Sequence, residues 1–327
     1  MKKNGFLSTS MIYSFFLVFL LTLLFLVTQY VNNRNIYSNI RDEVLSDISG
    51  NFTTRGICNE NLNLVDCIRS LYTGIQGENN IYFHNGTIDI DGTILDASDN
   101  SYRFAGSYAN NYVCFGTDDA YCSEDYLYRI IGIIDNKIKL IKANPYVSSY
   151  WSGSNTNETS NWNQSTLNTT ILNNTFYNTF DTKWKNKIIT YNYKIAPINI
   201  EDNNIKGIYD LEYTSNTTNY SARIGLLTIS DYLYAGSLEN WQRSDSNAFD
   251  SNSDVNWLNI GSSEWVLTSW SAYPSFVYYI NSDGNYNLGF SYSSEYMVRP
   301  VFFIDPSITY GSGTGSIFNP IRLIIKN

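Results

Sequence analysis

Met11 to Val27 reads MIYSFFLVFLLTLLFLV, an apolar run without a charged residue, and Thr28-Gln29-Tyr30-Val31 extends it. With Phe6 and Leu7 upstream, it reaches the roughly 20 residues that a helix needs to cross a bilayer core. The run predicts a single transmembrane helix over residues 11–31, with the lipid bilayer as its partner. Lys2, Lys3 and the amino terminus form a positive flank before it. Beyond it, Arg34 and Arg41 are offset by Asp42, Glu43 and Asp47, so charge alone orients the helix only weakly. A cleavable secretory signal would have an apolar core of about 7–15 residues and a small-residue cleavage site. This run is longer and no such pair follows it. A retained anchor is therefore expected, with residues 1–10 in the cytoplasm.

After the anchor, Ile36, Ile40, Val44, Leu45 and Ile48 recur at three- and four-residue spacing. That is the stripe of an amphipathic helix, which makes residues 32–78 a stalk helix and linker carrying Cys58 and Cys67. The segment Lys2-Lys3-Asn4-Gly5-Phe6, followed by an apolar helix, resembles the leader of type IV pilins and pseudopilins. The resemblance implies cleavage between Gly5 and Phe6 and other pilin-like subunits as partners. Those proteins carry Glu at the fifth mature position, where this chain has Ser10. Two readings stand side by side, a pilin-like subunit and a plain membrane anchor.

The four cysteines fall into two local pairs, Cys58 with Cys67 and Cys114 with Cys122. A disulfide in each would close a short loop and contribute about 2–3 kcal/mol. Four cysteines allow three connectivities, and free thiols or a zinc site are the rival readings. Zinc would want C-x-x-C spacing or nearby histidines, and His84 is the sole histidine. Disulfides require an oxidising compartment, which agrees with an extracellular domain and places the N-terminus inside. Only 16% of residues are charged, so Asn, Ser, Thr and Tyr must supply solubility; the net charge of -9 argues against a nucleic-acid partner.

From about residue 79 the pattern becomes one of short strands and turns. Tyr128–Ile134 and Lys137–Ala143 flank Asp135-Asn136, a two-residue hairpin signal, and the second strand alternates Lys with Ile or Leu as if one face were wet. Leu167, Ile171, Leu172, Phe176 and Phe180 form a helical stripe across an Asn- and Thr-rich stretch, with Asn161, Asn163 or Ser165 as candidate caps. Ala222–Tyr234 reads as a strand running into a short helix. Further strands are expected at Glu264–Thr268, Phe276–Ile280, Asn287–Phe290 and Met297–Ile304. No second boundary interrupts residues 79–327, so the expected class is α+β: an N-terminal transmembrane and stalk helix, then one mixed, irregular-sheet domain.

Several motifs follow in order: Asn100-Ser-Tyr-Arg-Phe-Ala-Gly106, Asn111-Tyr-Val-Cys-Phe-Gly116, Tyr128-Arg-Ile-Ile-Gly132, Asn161-Trp-Asn163, Ala222-Arg-Ile-Gly-Leu226, Glu264-Trp-Val-Leu267 and Val298-Arg-Pro-Val301. Together they resemble a bacterial domain of unknown function found in surface and pilin-like proteins of gut Firmicutes. The closing half also looks like the end of C-type-lectin-like domains, among them the sulfatase-modifying modules. That resemblance implies a mixed fold with two helices and no particular functional residues.

Chemistry is sparse. His84 stands beside Asn85-Gly86, a turn signal, and reads as a surface histidine. With one histidine and no cysteine after Cys122, Ser-His-Asp, Cys-His and sulfatase-modifying chemistry are set aside, and no carboxylate pair stands out for glycoside hydrolysis. Asp250, Asn252 and Asp254 alternate like the first half of a calcium loop, but Val255 and Gly261 replace the Gly and Glu of an EF-hand. A solvated loop is the plainer reading, so no metal or cofactor is expected. The chain reads as an anchored surface protein that contacts partners without catalysis. Its alternative is a glycan-binding module, which exposed Trp151, Trp162, Trp241 or Trp270 sharing one groove would favour.

Overall fold

A computed structural model describes residues 57–325, apart from residues 60–61, 91, 154–158, 196, 201–203, 215–217 and 242–255. Gly5, Phe6, the run at 11–31, the stripe at 32–48 and the calcium-type loop at 250–254 all lie outside the described residues.

Valine, isoleucine and aromatic residues dominate the short runs of this domain, and such side chains pack well on a pleated surface. They build two main sheets. The larger has seven strands, in the order Ile81–His84, Ser101–Phe104, Leu127–Ile134, Lys137–Lys142, Val301–Ile304 and Ile224–Gly225, with Tyr112–Cys114 also paired to Leu127–Ile134. The second has six, in the order Tyr286–Phe290, Phe276–Ile280, Glu264–Trp270, Tyr296–Val298 and Val147–Ser149, with Pro197–Ile198 running parallel to Glu264–Trp270. Buried residues of both sheets join one hydrophobic core.

This corrects the expected α+β class and its lectin-like layout: the domain is mainly β. Its helices are short, the longest α-helix being Ile205–Tyr213, and among the described residues none is long and apolar enough to cross a membrane. The Asn- and Thr-rich stretch shows why. It forms a 3-10 turn at Trp162–Gln164, capped by Asn161, and then a π-helix at Leu167–Phe176. Leu167, Leu172 and Phe176 are buried at spacings of five and four, which suits the wider π turn, and Thr175 Oγ1 donates to the carbonyl of Thr170, five residues back. Trp184 is buried in a separate helix, Thr182–Lys185, capped by Asp181.

The hairpin at Asp135-Asn136 forms as the pair of residues demands, both at positive φ, 50° and 57°. Its second strand has no wet face, however. Lys139 and Lys142 are buried, for reasons found across the core. The preceding strand changes register between Ile130 and Gly132, where any Cβ on Gly132 would overlap the Tyr102 carbonyl oxygen. The run Met297–Ile304 also divides. Tyr296–Val298 belongs to the six-stranded sheet and Val301–Ile304 to the seven-stranded one, so Arg299-Pro300 is where the chain crosses between them.

Residues 57–78, read above as part of the stalk and linker, contribute helix Leu64–Ser70 to the core through Leu64, Val65, Cys67 and Ile68. Around it, Tyr310 N–H donates to Leu62 O at 2.8 Å, Leu64 N–H to Ile308 O at 2.9 Å and Ile57 N–H to Gly313 O at 3.3 Å.

Candidate functional site

Three of the motif arginines, Arg103, Arg129 and Arg299, are buried, while Arg223 is exposed. Arg103, only 1% exposed, donates to Asp231 at 2.8 Å and to Asp99 at 2.9 Å, and Lys139 reaches the other oxygen of Asp231 at 2.5 Å. Asp231 also closes a capping box with Thr228 at the start of helix Ile229–Tyr234. Burial pushes the Asp231 carboxyl up, but Lys139 and Arg103 outweigh it and hold the group below the usual carboxylate range. Asp99 is likewise held low, chiefly by Arg103 against its own burial. Glu212 accepts from the backbone N–H groups of Ile229 and Ser230 and from the Ser230 and Thr268 hydroxyls. Burial still raises its carboxyl, with those hydrogen bonds opposing. Every one of these groups is engaged in holding strands and helices together.

His84 is not the surface residue that its neighbouring turn suggested. It ends strand Ile81–His84, is fully buried against Tyr234 and Trp241, and accepts the Ala97 N–H through Nδ1 at 3.1 Å. Burial, reinforced by Arg103, lowers it to about 3, so the ring is neutral.

Both cysteine pairs stand at disulfide distance. The Cα atoms are 5.6 Å apart for Cys58–Cys67 and 5.9 Å for Cys114–Cys122. The second pair borders a cleft of about 810 Å³, with Cys122 in its wall. At its floor, Arg129 lies between two aromatic rings, 4.4 Å from the Tyr112 centroid and 4.3 Å from that of Trp257. Its three nitrogens donate to Asn111 Oδ1, the Trp257 carbonyl and the Ala109 carbonyl, and none of these acceptors is a carboxylate. Arg299, at the crossing between the sheets, pairs with buried Glu264 through Nε and Nη2 at 2.7 and 2.5 Å. Exposed Tyr121, Ile317 and Phe318 form the rim.

A second groove of about 520 Å³ holds Trp162 and half-exposed Trp270. Trp151, Trp162 and Trp241 are all buried, so the four tryptophans do not share an exposed surface. Asp250, Asn252 and Asp254 are outside the described residues, and among those described no three His, Cys, Asp or Glu side chains are grouped to hold a metal ion. Sequence reasoning quoted Arg129 and Arg299 within motifs without assigning them a place, and it missed Trp257 and Asn259. A buried Arg between aromatics leaves no periodic trace in the sequence.

No curated protein and no solved structure matches the chain. A family model described as a domain of unknown function, DUF6273, matches residues 119–306, which takes in Arg129, Trp257, Asn259 and Arg299 but not Tyr112 or the rim at 317–322. With more than half of its residues matched, the chain belongs to the DUF6273 family of domains of unknown function.

Proposed function

We infer that the chain is an exported interaction protein, tethered to a cell membrane through residues 11–31, whose domain binds a ligand on the outer side without transforming it. The observation that carries this reading is the cleft bounded by the Cys114–Cys122 loop. An oxidised pair suits an extracytoplasmic compartment, and here it also forms the wall of a concavity large enough for a small ligand. The buried carboxylates Asp231 and Glu264 are held in ion pairs with Arg103, Lys139 and Arg299, which suits a rigid binding scaffold. Protease added to intact cells should remove the domain while a cytoplasmic marker survives. Ser262→Trp, which fills the cleft wall, should abolish attachment of the cells to their target at unchanged surface level. Protection from protease, or full attachment by the Ser262→Trp chain, contradicts the reading.

The leader at Gly5-Phe6 favours a second reading, in which the same domain is the head of a pilin-like subunit. Ser10 cannot supply the charge expected at the fifth mature position, so this would be a minor or tip subunit. Intact-mass measurement on native protein decides it: a chain starting at Phe6, lost in Gly5→Leu, supports processing, and a Met1 start leaves the plain anchor.

A further inference from the structure

The charged side chains lining the cleft are mainly donors, set among apolar residues such as Leu127, Ile260 and Pro320. Three arginines line it, Arg129, Arg299 and Arg322, against Glu124 at the wall and Glu264 behind Arg299, which leaves an excess of one positive charge on a chain whose net charge is -9. Arg129 is 9% exposed and Arg299 only 2%, so both guanidiniums are largely removed from water. Buried charges are ordinarily paired, because desolvation costs several kcal/mol per ion. Among the described residues, Arg129 has carbonyl and amide partners only. Burial, opposed by Tyr112 and joined by Arg299, lowers it to about 10. On Arg299, Nε and Nη2 are occupied by Glu264 and the Leu258 carbonyl, and Nη1 has no hydrogen-bond partner among the described residues.

Asn259 adds an independent observation. Its Oδ1 accepts the Gly261 N–H at 2.9 Å, which fixes the orientation of the amide, and its buried Nδ2 has no partner among the described residues. An unsatisfied buried donor costs about 1–3 kcal/mol, and this one belongs to a residue lining the same cleft. Such donors suit an anionic group with several acceptor oxygens. Around these donors stand the uncharged polar side chains Asn144, Ser262 and Asn319, suited to hydroxyl groups, and the rings of Tyr121 and Phe318, suited to the apolar face of a sugar ring.

We propose that this cleft binds an acidic saccharide, its carboxylate received by Arg129, Arg299 and Asn259 and its hydroxylated ring by the polar and aromatic rim. The proposal rests on the cleft being a binding site and adds what it binds. A carboxylate matches the planar edge of a guanidinium, and the two rings enclosing Arg129 leave only that edge to present.

The test is calorimetry on the oxidised full-length chain in detergent, with D-glucuronate, D-glucose, acetate and a poly-glutamate peptide as probes. Saturable binding of glucuronate, at least about tenfold tighter than glucose or acetate, is the expected result. Equal affinity for glucose, equal affinity for acetate, tighter binding of the peptide, or no binding of glucuronate each overturns it. Asn259→Asp guards against a folding artefact. It keeps an acceptor for Gly261 while placing a carboxylate among the arginines, so it should abolish glucuronate binding without lowering the melting temperature. Undiminished binding by Asn259→Asp also overturns the assignment. A chain that still attaches cells through the cleft, as judged by Ser262→Trp, but ignores glucuronate loses the ligand and not the binding role.

Discussion

Asn173 serves Ile224 as a neighbouring strand would: its Oδ1 accepts the Ile224 N–H at 2.9 Å and its Nδ2 donates to the Ile224 carbonyl at 2.8 Å. Ile224–Gly225 is the outer strand of the seven-stranded sheet, so these groups would otherwise be an open edge. The same Oδ1 takes the Arg223 N–H at 3.2 Å, and Nδ2 also reaches Asn168 Oδ1 at 2.7 Å. Asn173→Leu should destabilise the domain by about 2–3 kcal/mol and promote association through the freed edge. Asn174→Ala, one residue along on the exposed side, should stay within about 0.5 kcal/mol. Urea unfolding and light scattering measure both, and equal effects would refute the assignment.

Asp231→Asn should be among the most damaging single substitutions in the chain. It leaves Arg103 and Lys139 facing each other in the core with no carboxylate between them, a loss of about 3–5 kcal/mol when a buried pair is broken. Asp210→Asn, whose ion pair with Lys206 is half-exposed, should cost about 0–1 kcal/mol. The midpoint of chemical unfolding distinguishes these outcomes.

The single histidine gives an unusually clean pH experiment. His84 falls from 6.5 in the unfolded chain to about 3 in the fold, so the unfolded state alone takes up its proton as pH drops between those values. Its contribution is complete above 6.5 and is lost below it, by up to about 1.4 kcal/mol per pH unit. Glu212, raised by burial, acts in the opposite sense: its contribution is present below 4.5 and lost as pH rises through its folded value. Comparing the pH profile of the native chain with His84→Gln isolates the histidine. In the folded protein, its ring resonances should stay fixed from pH 8 to 4. A midpoint near 6.5 would show that the ring reaches water.

How much of this was legible beforehand follows from where each signal resides. The hairpin at Asp135-Asn136 and the strand-to-helix passage at 222–234 were visible because neighbours in sequence determine them, whereas Asn161, one of three candidate caps for the helix, caps a separate 3-10 turn instead. The buried state of Lys139 was not, since its partner Asp231 is 92 positions away and ordinary alternation makes a lysine face look wet. His84 was misplaced because the adjacent turn is real, with Gly86 at φ 82°, while the histidine belongs to the strand before it. The π-helix did leave a trace in Leu167 and Leu172, five apart, but a stripe is usually read at three and four. The cleft was hidden because Arg129, Asn259 and Arg299 come together only through the crossing of two sheets.

Peptide mapping without reductant should recover Cys58 linked to Cys67 and Cys114 to Cys122. Reducing either pair should lower stability by about 2–3 kcal/mol. Loss of the second should also weaken ligand binding, because Cys122 and Tyr121 belong to the cleft wall. Loss of the first should leave binding unchanged, and a reversal of those two effects would remove the structural role given to the Cys114–Cys122 loop.

The stitching of residues 57–64 to 308–313 determines where traction on the domain is borne. A pull arriving along the chain at Ile57 meets the carbonyl of Gly313 first, then the Leu62–Tyr310 and Leu64–Ile308 bonds, before it reaches any strand of the two large sheets. The seam joins two segments far apart in the chain, and neither Arg129 nor Arg299 makes any of its bonds. On the tethered reading proposed above, traction along the chain would open this seam before it reached the strand that carries Arg129.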